Sequence, residues 1–321
     1  MSKTIKIVLV IAAVLIIAGA LLAFVAFASS GFSAGNLGAG KFETKTYTPE
    51  GALSSVGITV RTSDVDFYLA EDGVLRVECY ETEEQPHEVS LADGKLTIGA
   101  TDQRKWYEKI RVFSKSPKVK IWLPAGEYEA LTLETDTGDV VFHGTYSFLK
   151  LDVETDTGDV ELGGTFATSV RIKTDTGDVT VTPLTAGNVG IRTNTGKVIL
   201  TDAHCGDLAI ETDTGKVKLR DVNCAALTFE TDTGFVTLTN FVGTGDAKIE
   251  TDTGDVKLYR CDAANYKIKT DTGDVEGTLR SGKLFTVSSR TGSIRVPEHD
   301  RDGGEFNVST ATGDIEISIA K

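Results

Sequence analysis

The sequence predicts an all-β protein: a parallel β-solenoid of about ten 19–20-residue coils, with a less regular β cap region before it and one transmembrane helix ahead of both. Three observations carry this expectation. A Thr-Asp-Thr-Gly quartet recurs at a nearly fixed period, apolar residues keep step with it in a period of two, and no repeat holds a helical apolar stripe.

The first element in chain order is hydrophobic. Residues 5–28 read IKIVLVIAAVLIIAGALLAFVAFA, with Lys6 as the only charge. The 22 uncharged residues from 7 to 28 span roughly 33 Å as a helix, enough for the ~30 Å hydrocarbon core of a bilayer. Lys3 and Lys6 precede the stretch, and the next charge is Lys41. The positive-inside rule then places the N-terminus in the cytoplasm and the remainder outside. Residues 1–28 are expected to be a retained signal anchor, giving a single-pass cell-membrane protein with an extracellular C-terminal ectodomain. The alternative is a signal peptide cleaved after Ala26-Phe27-Ala28, although such h-regions are shorter, ~7–15 residues. Residues 29–40, SSGFSAGNLGAG, form a flexible small-residue linker.

Residues 41–130 are expected to form the irregular β cap region. Strand-like runs occur at 56–70, 73–80, 94–100 and 118–124, at uneven spacing. The run Arg61-Thr62-Ser63-Asp64-Val65 resembles a worn first coil. Residues 101–117, TDQRKWYEKIRVFSKSP, are basic and aromatic in an acidic chain and are expected to form a loop or cap.

From 131 to 321 the chain repeats itself. The quartet ends at Gly138, Gly158, Gly177, Gly215, Gly234, Gly254 and Gly273, with an Asn variant at Gly196 and weaker copies at Gly292 and Gly313. Intervals of 19–21 residues separate the ten glycines. Two residues after each glycine stands Val or Ile, from Val140 to Ile315, and five before it stands another apolar residue, such as Leu133, Val153 and Ile172. Charged residues and threonines lie between. This alternation describes short strands with one buried face. One such unit cannot bury its own face, but stacked units can, at ~4.8 Å per coil.

The quartet reads first as turn chemistry. Its Asp is placed to accept the N–H of the glycine two residues on, as an Asx-turn, and the glycine tolerates positive φ. The Thr three before glycine is in phase with the buried positions and is expected to be half-buried in a ladder of stacked hydroxyls. Stacking would align Asp136, Asp156, Asp175, Asp213, Asp232, Asp252 and Asp271 in one column and Asp139, Asp159, Asp178, Asp255, Asp274 and Asp314 in another. Like charges ~5 Å apart repel by about 0.8 kcal/mol in water. Calcium between coils would relieve that, but Lys197 and Lys216 interrupt the second column and the calcium nonapeptide is absent. Asp-Thr-Gly also occurs in aspartic proteases, which need two carboxylates facing each other in a cleft; a periodic column offers none. An ice-binding Thr-x-Thr face would bury each Asp without a partner, which is costly.

Composition narrows the function classes. The formal net charge is −14, against nucleic-acid binding. Four cysteines, Cys79, Cys205, Cys224 and Cys261, form no CxxC pair and are too sparse for a disulfide scaffold. Cys205 and Cys224 both fall nine residues after a glycine, where Ala167 and Ala186 stand in earlier coils, so a small buried residue is expected and a bridge stays open. Cys261 is expected in the core. His87, His143, His204 and His299 show no ligand spacing and are expected at surface or edge positions. No Gly-x-Ser-x-Gly, His-Glu-x-x-His or P-loop occurs. No catalytic, cofactor-binding or metal-ligating residue is therefore assigned, and a non-enzyme is expected.

Three segments also carry a family resemblance: the opening ITVRTSDVDFYLAEDGVLRVECY, the entry KVKIWLPAGEYEALTLET, and the train of TGDV units from Gly138 onward. Over roughly 50–321 the chain resembles the bacterial β-strand-repeat domains of unknown function labelled "putative adhesin". The resemblance implies the solenoid fold and brings no catalytic residues. The function expected is a binding or scaffold module of the cell envelope, with the membrane reached through the N-terminal helix and an envelope polymer or protein as partner. The alternatives are an envelope-stress sensor working through a membrane partner and a polysaccharide-active solenoid enzyme. The enzyme would need convergent acids on non-repeating insertions, and none follows residue 131.

Overall fold

The computed structural model describes residues 42–101, 116–300 and 303–320, together with Gly19. The expected anchor and linker, and most of the 101–117 excursion, lie outside the described residues. Among the described residues no helix is long and apolar enough to cross a membrane.

Among the described residues the fold is all-β, with 26 strands in one hydrogen-bonded sheet system. It is a parallel β-solenoid of about nine turns. The count is slightly below the expected ten coils. Each winding lays down one strand ending in the quartet and one short strand after it. These form two strand columns in which equivalent residues pair in parallel, as Leu133↔Val153↔Ile172↔Ile191↔Ile210 do in the first and Val140↔Val160↔Val179↔Val198 in the second. The period-two pattern dictates the rest. Leu151, Val153, Val160 and Leu162 point inward and are at most 1 % exposed, while Lys150 and Glu161 between them face water. Each fully buried Val, Leu or Ile contributes roughly 1.5–3 kcal/mol, and stacking supplies that burial for every turn at once.

Nine strands build the N-terminal part: β1 (Glu43–Tyr47), β2 (Ser55–Val60), β3 (Asp64–Ala70), β4 (Arg76–Glu81), β5 (His87–Ala92), β6 (Lys95–Ala100), β7 (Lys118–Pro124), β8 (Glu127–Thr137) and β9 (Val140–His143). β2 and β3 stack in parallel on β8 and β9, so Arg61–Val65 is the worn coil the sequence predicts. β6 and β7 add one further parallel rung, on β2 and β3. Beyond it the direction changes: β5 runs antiparallel to β6, β4 antiparallel to β7, and β1 antiparallel to β4. These antiparallel strands close the winding at this end.

The C-terminal turns depart from sequence order. Strand Asn265–Thr272 pairs not with Leu284–Thr291 but with Glu305–Thr312, which in turn pairs with Leu284–Thr291. The second column does the same: Val275–Leu279, then Ile315–Ile319, then Ile294–Arg295. The Gly313 rung is thus inserted beneath the Gly292 rung, which is the last.

Candidate functional site

The quartet forms a spine of backbone contacts rather than isolated turns. A Cβ on Gly196 would lie 1.9 Å from the carbonyl oxygen of Gly177, and one on Gly215 would lie 1.8 Å from that of Gly196. Glycine is required here because successive rungs touch backbone to backbone. The glycine N–H does not close an Asx-turn. It donates to the next rung, as from Gly158 to the Thr176 carbonyl at 3.0 Å and from Gly177 to Thr195 at 3.0 Å. Inter-rung amide pairing wins because it satisfies a backbone group that the sheet would otherwise bury.

The Thr three before each glycine is fully buried, not half-buried: Thr155, Thr174, Thr193 and Thr270 are at most 1 % exposed. The hydroxyls do not form a ladder with one another. Thr174 and Thr193 Oγ1 donate to the carbonyls of Gly158 and Gly177, both at 3.2 Å, one rung back. The second Asp column is a chain of amide acceptors. Asp139 Oδ1 accepts the Asp159 N–H at 2.9 Å, Asp159 Oδ1 that of Asp178 at 2.7 Å, and Asp178 Oδ1 that of Lys197 at 2.7 Å. The same link joins Asp255 to Asp274, Asp274 to Asp314, and Asp314 to Ser293. One oxygen of each of these carboxylates thus accepts a backbone amide of the adjoining rung. The Ser293 amide holds the Asp314 carboxyl below the usual carboxylate range. In the first column, Arg61 pairs with Asp136 at 3.0 Å and Asn194 donates to Asp175 at 3.3 Å.

Outside this spine, the water-facing side of the quartet column carries a depression of about 520 Å³. It forms where Gly190 and Ala209 stand among long side chains: Arg171, Lys173, Arg192, Glu211 and Glu230. Nothing lies within 4 Å of a Cβ built on Gly190. The rim is paired across rungs, Lys173 with Glu154, Arg192 with Glu211 at 3.1 Å and Glu230 with Lys248 at 2.9 Å. Charges of both signs rim a shallow floor whose open surface is largely apolar, which suits an extended ligand with apolar faces beside polar groups. Sequence reasoning missed this place. The signal was Gly190, a glycine at an outward strand position with no turn to make.

A second water-facing row crosses the N-terminal rungs. Arg76 lies over Trp122 at 5.8 Å, Trp122 stacks on Tyr68 at 5.2 Å, and Tyr68 on His143 at 4.6 Å. These rings cover one another's faces, so they stabilise the rungs and leave edges, not platforms, to a ligand.

One buried cluster carries chemistry. His87 is buried at 4 % exposure, against the expectation of a surface position, because β5 folds its first residue onto Glu81, which ends β4. Glu81 Oε2 accepts the His87 backbone N–H at 2.6 Å and lies 3.0 Å from Nδ1. Lys45 Nζ sits 2.5 Å from Oε1. Nε2 meets the Ser63 hydroxyl at 3.0 Å. Burial raises the Glu81 carboxyl, but the Lys45 and His87 hydrogen bonds outweigh it and hold the group below its ordinary value. Burial pushes His87 down, against the pull of Glu81, and keeps the ring neutral near pH 7. The order Ser–His–Glu matches a hydrolase relay. The adjoining crevice, however, holds only about 10 Å³, no more than one water, and leaves no room for a reacting carbonyl. Cys79, with its thiol pushed up to about 12 by burial, completes a Cys–Glu–His donor set within 4.8 Å. There the Lys45 ammonium already supplies the cation that Glu81 needs. The cluster is a charge-compensated pin between cap and first rung. His143, His204 and His299 are exposed, as expected.

Ala167↔Ala186↔Cys205↔Cys224 pair in register, as the spacing predicts, and both thiols are free. Cys261 is fully buried in the core.

The fold defines a repeat protein: a wound β-spine held by backbone contacts between rungs. The chain belongs to the Toastrack DUF4097 family, whose model matches residues 53–221 and 202–321. Among solved structures it is similar to a "putative adhesin" from Bacteroides fragilis, at 15 % identity over 87 % of this chain and 97 % of that one, TM-score 0.43. It is also similar to a "putative lipid binding protein" from Parabacteroides distasonis, at 12 % identity over 87 % and 98 %, TM-score 0.49. A "putative adhesin" from Parabacteroides merdae matches at 12 % identity over 75 % and 98 %, TM-score 0.49. None of the curated proteins compared with the chain matches it.

Proposed function

We propose that the protein is a non-enzymatic binding or scaffold module of the cell envelope, tethered through its apolar N-terminal segment, with an extended envelope polymer or protein as partner. The observation that carries this reading is the depression around Gly190 and Ala209 on the water-facing side of the quartet column. It is open and shallow, its charges are mixed and paired, and it continues along regular rungs. Such a surface offers repeated weak contacts, and strength comes from their number. The uninterrupted apolar stretch at 7–28 supports the envelope placement.

The test is co-sedimentation of the purified chain with insoluble envelope polysaccharide. Gly190→Trp fills the depression at a position where a side chain meets nothing. A tenfold or greater loss of binding is expected with an unchanged melting point, and Arg171→Glu should weaken binding as well. Full binding by Gly190→Trp would sink the assignment. Shortening of the polymer during incubation would reverse the non-enzymatic part of the reading.

A further inference from the structure

The two ends of the solenoid are finished differently. At the N-terminal end the antiparallel strands β1, β4 and β5 close the winding. At the other end, the strands Leu284–Thr291 and Ile294–Arg295 each pair with one neighbour only. Phe285 is buried beneath His299, and the Asp300 N–H bonds the Lys283 carbonyl at 3.0 Å, but the inward positions further along lack a cover among the described residues. Ile294 is 45 % exposed where Ile315, its partner one rung in, is fully buried. Val287 is half-buried where Val308 is 3 % exposed.

The backbone of this edge has a definite polarity. The Leu284 N–H donates inward, to Gly304 at 2.9 Å, so odd-numbered residues turn their N–H and C=O outward. The Phe285 N–H is taken by His299 Nδ1 at 3.2 Å. The amides of Val287 and Ser289 point outward with no partner strand among the described residues.

We propose that this end is a self-association surface, on which two copies of the chain join tail to tail about a twofold axis perpendicular to the strands. The occupant follows from the shape of the end. It presents two open strand edges, one in each column, with Val287, Ile294 and Val296 between them. A single extended peptide completes only one edge. A second copy of the same end completes both, with the twofold axis bisecting the two edge strands. The N-terminal end does not fit, since antiparallel strands already close it.

The outward amides fix the register. Val287 pairs with the second copy's Ser289 and Ser289 with the second copy's Val287, each pair exchanging two backbone hydrogen bonds. Ser288 then faces the second copy's Ser288 as a non-hydrogen-bonded pair. Arg290 falls opposite the second copy's Thr286, so the two guanidinium groups are not apposed. His299 keeps the Phe285 amide, and the pairing stops there.

Cross-linking of the full-length chain tests this. A non-hydrogen-bonded antiparallel pair has Cα atoms about 4.5 Å apart, within the span of a disulfide. Ser288→Cys should give a covalent dimer under diamide. Ser309→Cys, equally outward but one rung in, should not. Sedimentation equilibrium of the unmodified chain should return twice 34.3 kDa. Ser289→Pro removes an N–H that no strand within one chain uses, and should weaken the dimer at least tenfold with an unchanged circular dichroism spectrum. A monomeric mass, a series of higher oligomers, or equal cross-linking of Ser288→Cys and Ser309→Cys would each overturn the proposal.

Discussion

Gly196→Ala is the sharpest test of the glycine spine. The added methyl would stand 1.9 Å from the Gly177 carbonyl oxygen and 2.7 Å from its carbon. Real Cβ contacts do not go below 3.0 Å, so the rungs must part by about 1 Å. Two hydrogen bonds sit at that point, Gly177 to Thr195 at 3.0 Å and Gly196 to Thr214 at 3.1 Å. Both would stretch out of useful range. Two lost bonds at roughly 0.5–1.5 kcal/mol each, with overpacking of roughly 1–3 kcal/mol, give a destabilisation of about 2–6 kcal/mol. Gly190→Ala is the matched control, only six residues away on the outward face with nothing within 4 Å. It should be neutral or stabilising by up to about 1 kcal/mol, since alanine restricts the unfolded chain. Urea unfolding followed by circular dichroism measures both. If the two variants unfold within 0.5 kcal/mol of each other, roughly the noise of such a comparison, the rungs do not depend on backbone contact at glycine.

Other consequences can be measured in the same way. Thr193→Val removes a hydroxyl that donates to Gly177 and should cost about 1 kcal/mol, whereas Thr212→Val, whose buried hydroxyl has no partner, should be neutral or stabilising. Asp159→Ala should cost roughly 0.5–1 kcal/mol by stranding the Asp178 amide, and Asp159→Asn, which keeps the acceptor, should recover most of it. Acid should loosen the cap first. His87 and Glu81 both titrate below their ordinary values of 6.5 and 4.5, so protons bind the unfolded chain more readily. Their contribution is complete at neutral pH and declines as pH falls, through His87 first and then Glu81. Amide protection factors at β4 and β5, corrected for the slower intrinsic exchange in acid, should fall between pH 7 and 5 in the native chain and less so in His87→Gln. Uniform exchange across cap and rungs would argue against the pin.

Much of the winding was legible because its causes are local. Alternation at Leu151, Val153, Val160 and Leu162 states which side is buried, and a fixed interval states that neighbouring turns present the same side. Asp and Gly identified the corner, but not its bonds. An Asx-turn and an inter-rung amide use the same residue types, and only the neighbouring backbone decides between them. His87 was illegible for a similar reason. Its partners are six residues away at Glu81, 24 at Ser63 and, through Glu81, at Lys45, with no repeat to align them.

The sequence by itself determined a wound parallel β-structure with valine and isoleucine inside, because period and alternation are properties of the chain alone. Tertiary structure decided which rung lies next to which at the C-terminal end. Phe285, Val287 and Ile294 match Phe306, Val308 and Ile315 side chain for side chain, so inward pattern cannot rank the two rungs. The residue after glycine cannot rank them either: Asp314 accepts the Ser293 amide, but Lys197 and Lys216 hold the same position without a carboxylate and still carry a further rung. Only the backbone pairing between whole turns decides, and that is a property of the folded chain rather than of any one residue.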